Sequence, residues 1–179
     1  FKNQYTLGFS GGSKTHKDLF RYYGMKEERI FMMPMTVDNN KYYVDNKVFS
    51  DRFTFLFVGR LLNTKNVNIL CERFLSSFAD KNAQLIIVGG GSNLQVYKRK
   101  YKNKKILFKG SIFGDDLLEV YHRSSVFVFP SSVEAWGLVV NEAMSASLPV
   151  IAHKEVGSVH DLIINKETGF VISDWEELE

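Results

Sequence analysis

Cysteine is nearly absent from this sequence of 179 residues: Cys71 stands alone, inside an expected helix. A single thiol excludes an internal disulfide framework and suits a reducing compartment. The four histidines, His16, His122, His153 and His160, show no ligand spacing with one another or with Cys71, so no metal site is expected. No apolar run approaches the roughly 20 residues of a membrane-spanning helix. The opening Phe1-Lys2-Asn3-Gln4 has neither the charge pattern nor the apolar core of a signal peptide. The expected location is therefore the cytoplasm. Charge of one sign is not in excess either: the formal net charge is +3, which points neither to nucleic acid nor to a strongly acidic partner. An initial Met is also missing, and Glu177-Leu178-Glu179 reads as the opening of a helix. Both features suggest a piece of a longer protein.

What is present is the make-up of a globular α/β chain, with 45% hydrophobic and 24% charged residues and enough length for one sizeable core. From residue 53 onward, short apolar runs alternate with longer amphipathic ones. This is the pattern of a parallel sheet covered by helices on both faces. Phe53 to Val58 is the first strand, and Val67 to Phe78 follows with Ile69, Leu70, Phe74, Leu75 and Phe78 at helical spacing. The unit recurs at Gln84 to Val88 with a basic helix, and at Lys105 to Phe108 with a helix from Asp115 to Arg123. It recurs again at Val126 to Phe129, where Pro130 closes the strand before a loop and a helix from Gly137 to Ala146. Pro149 to Ala152, a short helix at Val159 to Ile164 and a strand at Phe170 to Ile172 complete six strands. The expected fold is a doubly wound, Rossmann-like parallel sheet over residues 53–179. Residues 39–52 read as linker, and residues 1–38 as a separate remnant with a helix at Thr15 to Tyr23 and a short strand at Arg29 to Met33.

Doubly wound sheets bind ligands beyond the carboxyl ends of their strands. Arg60, Gly89 to Gly91, Gly110 to Ile112 and Ser131 to Gly137 should therefore converge on one crevice. Within it, a loop bearing Glu134 runs into a helix bearing Glu142. The N–H groups of Gly137, Leu138 and Val139 at the helix start lack intrahelical acceptors, and so offer a site for phosphate oxygens. Glu142 lies about 7 Å further along the axis, at roughly 1.5 Å per residue. That is too far to share a proton with Glu134 and suited to gripping a second part of an extended ligand. Taken alone, the pair fits equally a capping Glu134 and a solvated Glu142. Arg60 and Lys65, past the end of the first strand, are cations placed for a diphosphate: a planar fork and a mobile point charge.

The segment Ser131 to Met144 is similar to the Glu-x7-Glu signature of GT-B-fold retaining glycosyltransferases of family 4, the glycosyl transferases group 1. Other blocks follow in family order: Phe57-Val58-Gly59-Arg60-Leu61 with Lys65, Leu85 to Gly91, Val126 to Ser131, Asn141 to Ile151, and Glu167-Thr168-Gly169-Phe170-Val171. Pro34 to Asp38 resembles the turn between the two halves of that fold. The chain departs from the pattern at Ala135 and Trp136, where Gly and Phe are usual, at Asn66 for a common Gly, and at His160-Asp161 for Pro-Glu.

The resemblance implies the C-terminal, donor-binding half of a metal-independent transferase of hexosyl type, working with retention and using a UDP-sugar or GDP-sugar. It implies catalytic roles for Glu134, Arg60 and Lys65, with Glu134 on the donor sugar and Glu142 on the ribose. Gly137, Leu138, Val139, Trp136, Gly59, Gly90, Ser111 and Ile112 complete the donor site, the last two beside the base. Its partners would be a glycan or lipid-linked acceptor, as in polysaccharide biosynthesis, and the absent N-terminal half of the same chain. The fragment alone would be poorly active. The basic run Tyr97 to Lys105 reads as a solvated helix face or as a peripheral contact with the inner face of a membrane. Two other readings stand beside the enzyme: a non-catalytic nucleotide-sugar binding module, and a basic-surface RNA or membrane adaptor.

Overall fold

The computed structural model describes residues 6–12, 14–45, 47 and 50–178. Residues 1–5 and 13, residues 46, 48 and 49 of the expected linker, and Glu179 lie outside the described residues. A small unit comes first: β1 (Gly8–Ser10), α1 (Lys14–Tyr22) and β2 (Ile30–Met32), with β1 and β2 paired in parallel. Helix α2 (Asn39–Tyr42) then forms at the start of the stretch read as linker, its first turn closed by the Asp38 side chain accepting the Asn40 N–H at 3.1 Å.

The remainder is one six-stranded parallel sheet built from β3 (Phe53–Val58), β4 (Ala83–Val88), β5 (Ile106–Gly110), β6 (Val126–Phe129), β7 (Val150–His153) and β8 (Gly169–Ile172). Its order is β5-β4-β3-β6-β7-β8. The chain starts in the middle, winds outward through α3 (Val67–Phe78) and α4 (Leu94–Lys100), and then returns through α5 (Gly114–His122) to the other side. Helices α6 (Leu138–Ser145) and α7 (Val159–Leu162) link the last strands. With right-handed crossovers the reversal puts the two sets of helices on opposite faces, giving the doubly wound, Rossmann-like architecture read from the sequence. The strands are runs of Phe, Val, Ile and Leu because both faces are covered: Leu56, Phe57, Leu85, Ile87, Phe127, Val150 and Ala152 are fully buried. Burial of each large side chain is worth about 1.5–3 kcal/mol.

Several charged groups tie the helices down. Lys105 donates to the carbonyls of Phe78 at 3.4 Å, Lys81 at 2.7 Å and Ala79, capping the end of α3. Lys100 pairs with Glu72 on α3 at 2.8 Å. Part of the basic run at 97–105 therefore serves the fold, while Lys98, Arg99, Lys102 and Lys104 remain exposed. Among the described residues no helix is long and apolar enough to cross a membrane.

Candidate functional site

The strand order reverses between β3 and β6, and on one side of that reversal the chain leaving β3, β4 and β5 at their carboxyl ends is stitched together. The Gly59 N–H donates to Val88 O at 3.0 Å, the Leu61 N–H to Gly90 O at 2.7 Å and the Gly89 N–H to Gly110 O at 2.7 Å. Gly89, at φ +135°, passes so close to its neighbour that a Cβ there would sit 1.9 Å from Gly59 O. A Cβ on Gly90 would meet the Ser111 hydroxyl at 2.8 Å. Gly59, Gly90 and Ser111 therefore line one wall, with Arg60 exposed beside them and in no ion pair among the described residues. Ile112 packs against the core and edges a groove of about 790 Å³ lying over Gln84, Ile86 and Leu107. That groove covers the face of β4 and β5 rather than the loops beyond the strand ends.

The opposite wall comes from β6. Asn66 holds a left-handed backbone (φ 51°, ψ 31°), which Asn tolerates better than most residues, and its side chain donates to Pro130 O at 3.0 Å. The Ser132 N–H donates to Thr64 O at 2.9 Å. These bonds seat Lys65, which is 8% exposed, under the Ser131 to Trp136 loop. There its ammonium pairs with the Glu134 carboxylate, lies 3.3 Å from the Ser131 hydroxyl and stands 5.1 Å from the centre of the Phe129 ring. The two residues read as separate ligand contacts are thus each other's partners. The loop is also clamped from β7's side, the Gly157 N–H donating to Glu134 O at 2.9 Å and the Ser158 N–H to Trp136 O at 3.0 Å.

Helix α6 begins at Leu138, with Gly137 at φ +91° as the residue before it. An added Cβ on Gly137 would meet Glu134, Val156 and Phe129 within 3.2–3.3 Å, so glycine serves both the turn and the close packing. The N–H groups of Leu138 and Val139 have no acceptor within the helix, and that of Val140 turns back to Gly137 O at 2.9 Å. The far end of α6 is closed by Lys47, whose ammonium reaches Ala146 O at 3.2 Å and Ser147 O at 3.5 Å. Burial pulls the Lys47 pKa down to about 8.

Glu142, one turn into α6, accepts the Tyr121 hydroxyl at 2.8 Å. Tyr121 is fully buried, and burial followed by the adjacent carboxylate raises its pKa far above that of a free phenol. Tyr42 of α2 packs edge-on against Tyr121 at 5.8 Å, and burial with the Glu142 charge pushes its phenol up to about 12. Trp136 is not open to the crevice: it is 3% exposed, and its indole N–H donates to Asn141 Oδ1 at 2.9 Å. Its ring and that of His16 wall in Gly12, where an added Cβ would lie 2.7 Å from Trp136 and 2.8 Å from His16. Among the described residues no group of three His, Cys, Asp or Glu could hold a metal ion. Sequence reasoning missed Tyr42, Tyr121 and Thr64 as parts of this site. Tyrosine carries no motif signal, and Thr64 acts through its carbonyl alone.

The profile of the family described as glycosyl transferases group 1 matches residues 38–178, from the turn before α2 to the last described residue. The chain belongs to that family. Among curated relatives of this glycosyltransferase chain, a sulfoquinovosyl transferase of Arabidopsis thaliana is 34% identical over 116 residues, covering 64% of the chain and 22% of the relative. A GDP-mannose-dependent alpha-mannosyltransferase of Mycobacterium tuberculosis is 34% identical over 65% of the chain and 29% of its own length. The chain thus spans less than a third of either protein. Among solved structures, WaaG, a glycosyltransferase of lipopolysaccharide biosynthesis, aligns with TM-score 0.80 at 21% identity over 99% of the chain and 52% of its own. HepE of Anabaena, solved with UDP and glucose, aligns with TM-score 0.75 at 20% identity over 97% and 50%. The fold is that of the C-terminal domain of GT-B glycosyltransferases.

Proposed function

We propose that the protein transfers a hexosyl group from a nucleotide-diphosphate sugar with retention of anomeric configuration, and that this chain supplies most of the donor site. The observation that carries the reading is the meeting of Lys65, Glu134 and the start of α6 past the carboxyl ends of β3 and β6, beside an exposed Arg60. A departing diphosphate gains negative charge as the glycosidic bond breaks. Preorganised cations and helix-end amides stabilise that charge most where water is scarce. Arg60, Lys65 and the Leu138 and Val139 N–H groups fill this role, so the reading invokes no metal. Lys65 then changes partner, from the Glu134 carboxylate to a phosphate oxygen, and Glu134 is released toward the donor sugar. Retention follows if the acceptor attacks the face that the diphosphate leaves, with the leaving group taking the acceptor's proton. Glu134 thereby positions and stabilises and need not act as a nucleophile. Glu142 takes the ribose hydroxyls, and Gly59, Gly90, Ser111 and Ile112 flank the base. The buried Trp136 shapes the sugar pocket indirectly, by fixing the loop that carries Glu134.

The UDP of the HepE complex and the GDP-mannose named for the mycobacterial relative support a UDP-sugar or GDP-sugar as donor. A glycan or lipid-linked acceptor in polysaccharide biosynthesis, binding between this chain and an N-terminal domain, completes the proposal, with the enzyme in the cytoplasm or at the inner membrane face. Calorimetric titration with UDP, GDP and their sugar conjugates tests it. Saturable binding weakened in both Glu142→Ala and Arg60→Ala is expected, and no binding of any nucleotide would overturn the donor-site reading.

A further inference from the structure

The proposed ribose contact, Glu142, is a carboxylate placed on a helix whose own geometry leaves the side chain free to rotate. Two elements distant in sequence restrict it. From α5, the buried Tyr121 hydroxyl donates to Glu142 Oε2 at 2.8 Å, which restrains the carboxylate. From α2, Tyr42 packs its ring edge against Tyr121 with centroids 5.8 Å apart, so Tyr121 cannot swing away without displacing it. Helix α2 is itself pinned. The Ser145 hydroxyl donates to Asn39 Oδ1 at 2.8 Å, and His122 Nε2 meets the Tyr42 carbonyl at 2.8 Å. The stretch just after the Pro34 to Asp38 turn is thus fastened to α5 and α6 around the Glu142 carboxylate.

We propose that Tyr121 is a positioning residue that orients the Glu142 carboxylate for the ribose hydroxyls of the donor nucleotide, and that Tyr42, buttressing it from α2, couples the segment after the 34–38 turn to nucleotide affinity. The inference rests on the donor-site reading above. Tyrosine suits the task better than a charged partner. A neutral hydroxyl fixes one oxygen without drawing off the negative charge that the ribose hydroxyls need as an acceptor. A carboxylate already held by a hydrogen bond from a buried hydroxyl binds its ligand with less rotamer freedom left to lose. Both phenols remain protonated donors over the working pH range, because burial opposes their ionisation.

The test is calorimetry on the protein with UDP, GDP and their 2′-deoxy counterparts, comparing the unsubstituted protein with Tyr121→Phe, Tyr42→Phe, Glu142→Ala and the Tyr121→Phe/Glu142→Ala pair. Phenylalanine keeps the rings and their packing, and thermal melts establish that each variant is folded. For the nucleotide that binds, Tyr121→Phe should raise Kd about tenfold, the loss of one hydrogen bond to a charged group. The increase should shrink for the 2′-deoxy nucleotide and vanish in the Glu142→Ala background. Tyr42→Phe removes a second hydroxyl that faces Glu142 and should raise Kd by less than Tyr121→Phe does, whereas Tyr42→Ala, made alongside it, also removes the packing and should approach the Tyr121→Phe value. A Kd for Tyr121→Phe within twofold of the unsubstituted protein, or an equal loss in the Glu142→Ala background, would overturn the positioning role while leaving the donor site standing. Tyr42→Ala binding as tightly as the unsubstituted protein would overturn the coupling. Failure of the unsubstituted protein to bind any nucleotide would overturn this inference together with the reading beneath it.

Discussion

Consider the loss of one partner from the ion pair beneath the β6 loop. In Glu134→Ala the Lys65 ammonium stays where it is, 11% exposed by side chain, with only the Ser131 hydroxyl at 3.3 Å and the Phe129 ring to face. Orphaning one member of a fully buried pair costs about 3–5 kcal/mol. Here the Glu134 side chain is 24% exposed, so water reaches the pair and relieves part of the penalty, leaving about 2 kcal/mol. In a domain of this size each kcal/mol moves the midpoint by about 2–4 °C, so Glu134→Ala should melt about 4–8 °C lower. Lys65→Met is the reverse case. It fills the same space without charge, leaves the more exposed Glu134 to rehydrate, and leaves the Ser131 hydroxyl the Val133 carbonyl at 3.1 Å. It should cost under about 1 kcal/mol. Both variants should nevertheless weaken nucleotide-sugar binding, so Lys65→Met loses affinity with little loss of stability. Differential scanning calorimetry beside titration separates the two effects. Equal melting points, or a greater loss in Lys65→Met, would refute the account of Lys65 as a buried cation dependent on Glu134.

Three other outcomes are expected. Gly89→Ala should cost about 3 kcal/mol or more, because its Cβ would fall 1.9 Å from the Gly59 carbonyl at a φ of +135°; a urea midpoint near that of the parent would contradict this. Lys47 has a folded pKa of about 8 against an ordinary 10.5. The burial cost of its charge is therefore fully present below pH 8, and is relieved between 8 and 10.5 as the folded chain releases a proton that the unfolded chain retains. Stability of the parent relative to Lys47→Met should rise with pH across that window, and urea melts at stepped pH that show a constant difference would exclude the effect. Cys71 is fully buried, with burial pushing its thiol up to about 12. A chromogenic disulfide reagent at pH 8 should therefore leave it unmodified until urea unfolds the chain, and prompt modification in buffer alone would argue against that burial.

The apolar runs and their spacing were enough to place all six main strands and the helices between them to within about two residues. Period and turn chemistry are local properties, and a strand buried on both faces can hardly avoid reading as Val, Ile, Leu and Phe. The same logic grouped the loops expected to hold a ligand, because βα loops leave a parallel sheet on one side whatever the strand order. Glu134, Arg60 and Lys65 were legible as chemistry for that reason. Their pairing was not: Lys65 and Glu134 are 69 positions apart, and they meet only because β3 and β6 are neighbours at the reversal of the sheet. The burial of Trp136 against Gly12 and Asn141, the capping of α3 by Lys105 and the docking of α2 on α6 are of the same kind. So is the hold of Tyr121 and Tyr42 on Glu142. Sequence alone determined which segments are strands and which are helices, since each follows from interactions within a few residues. The tertiary structure decided which charges neutralise one another and which hydroxyl holds Glu142 Oε2, because those depend on distances that only the crossovers between strands fix.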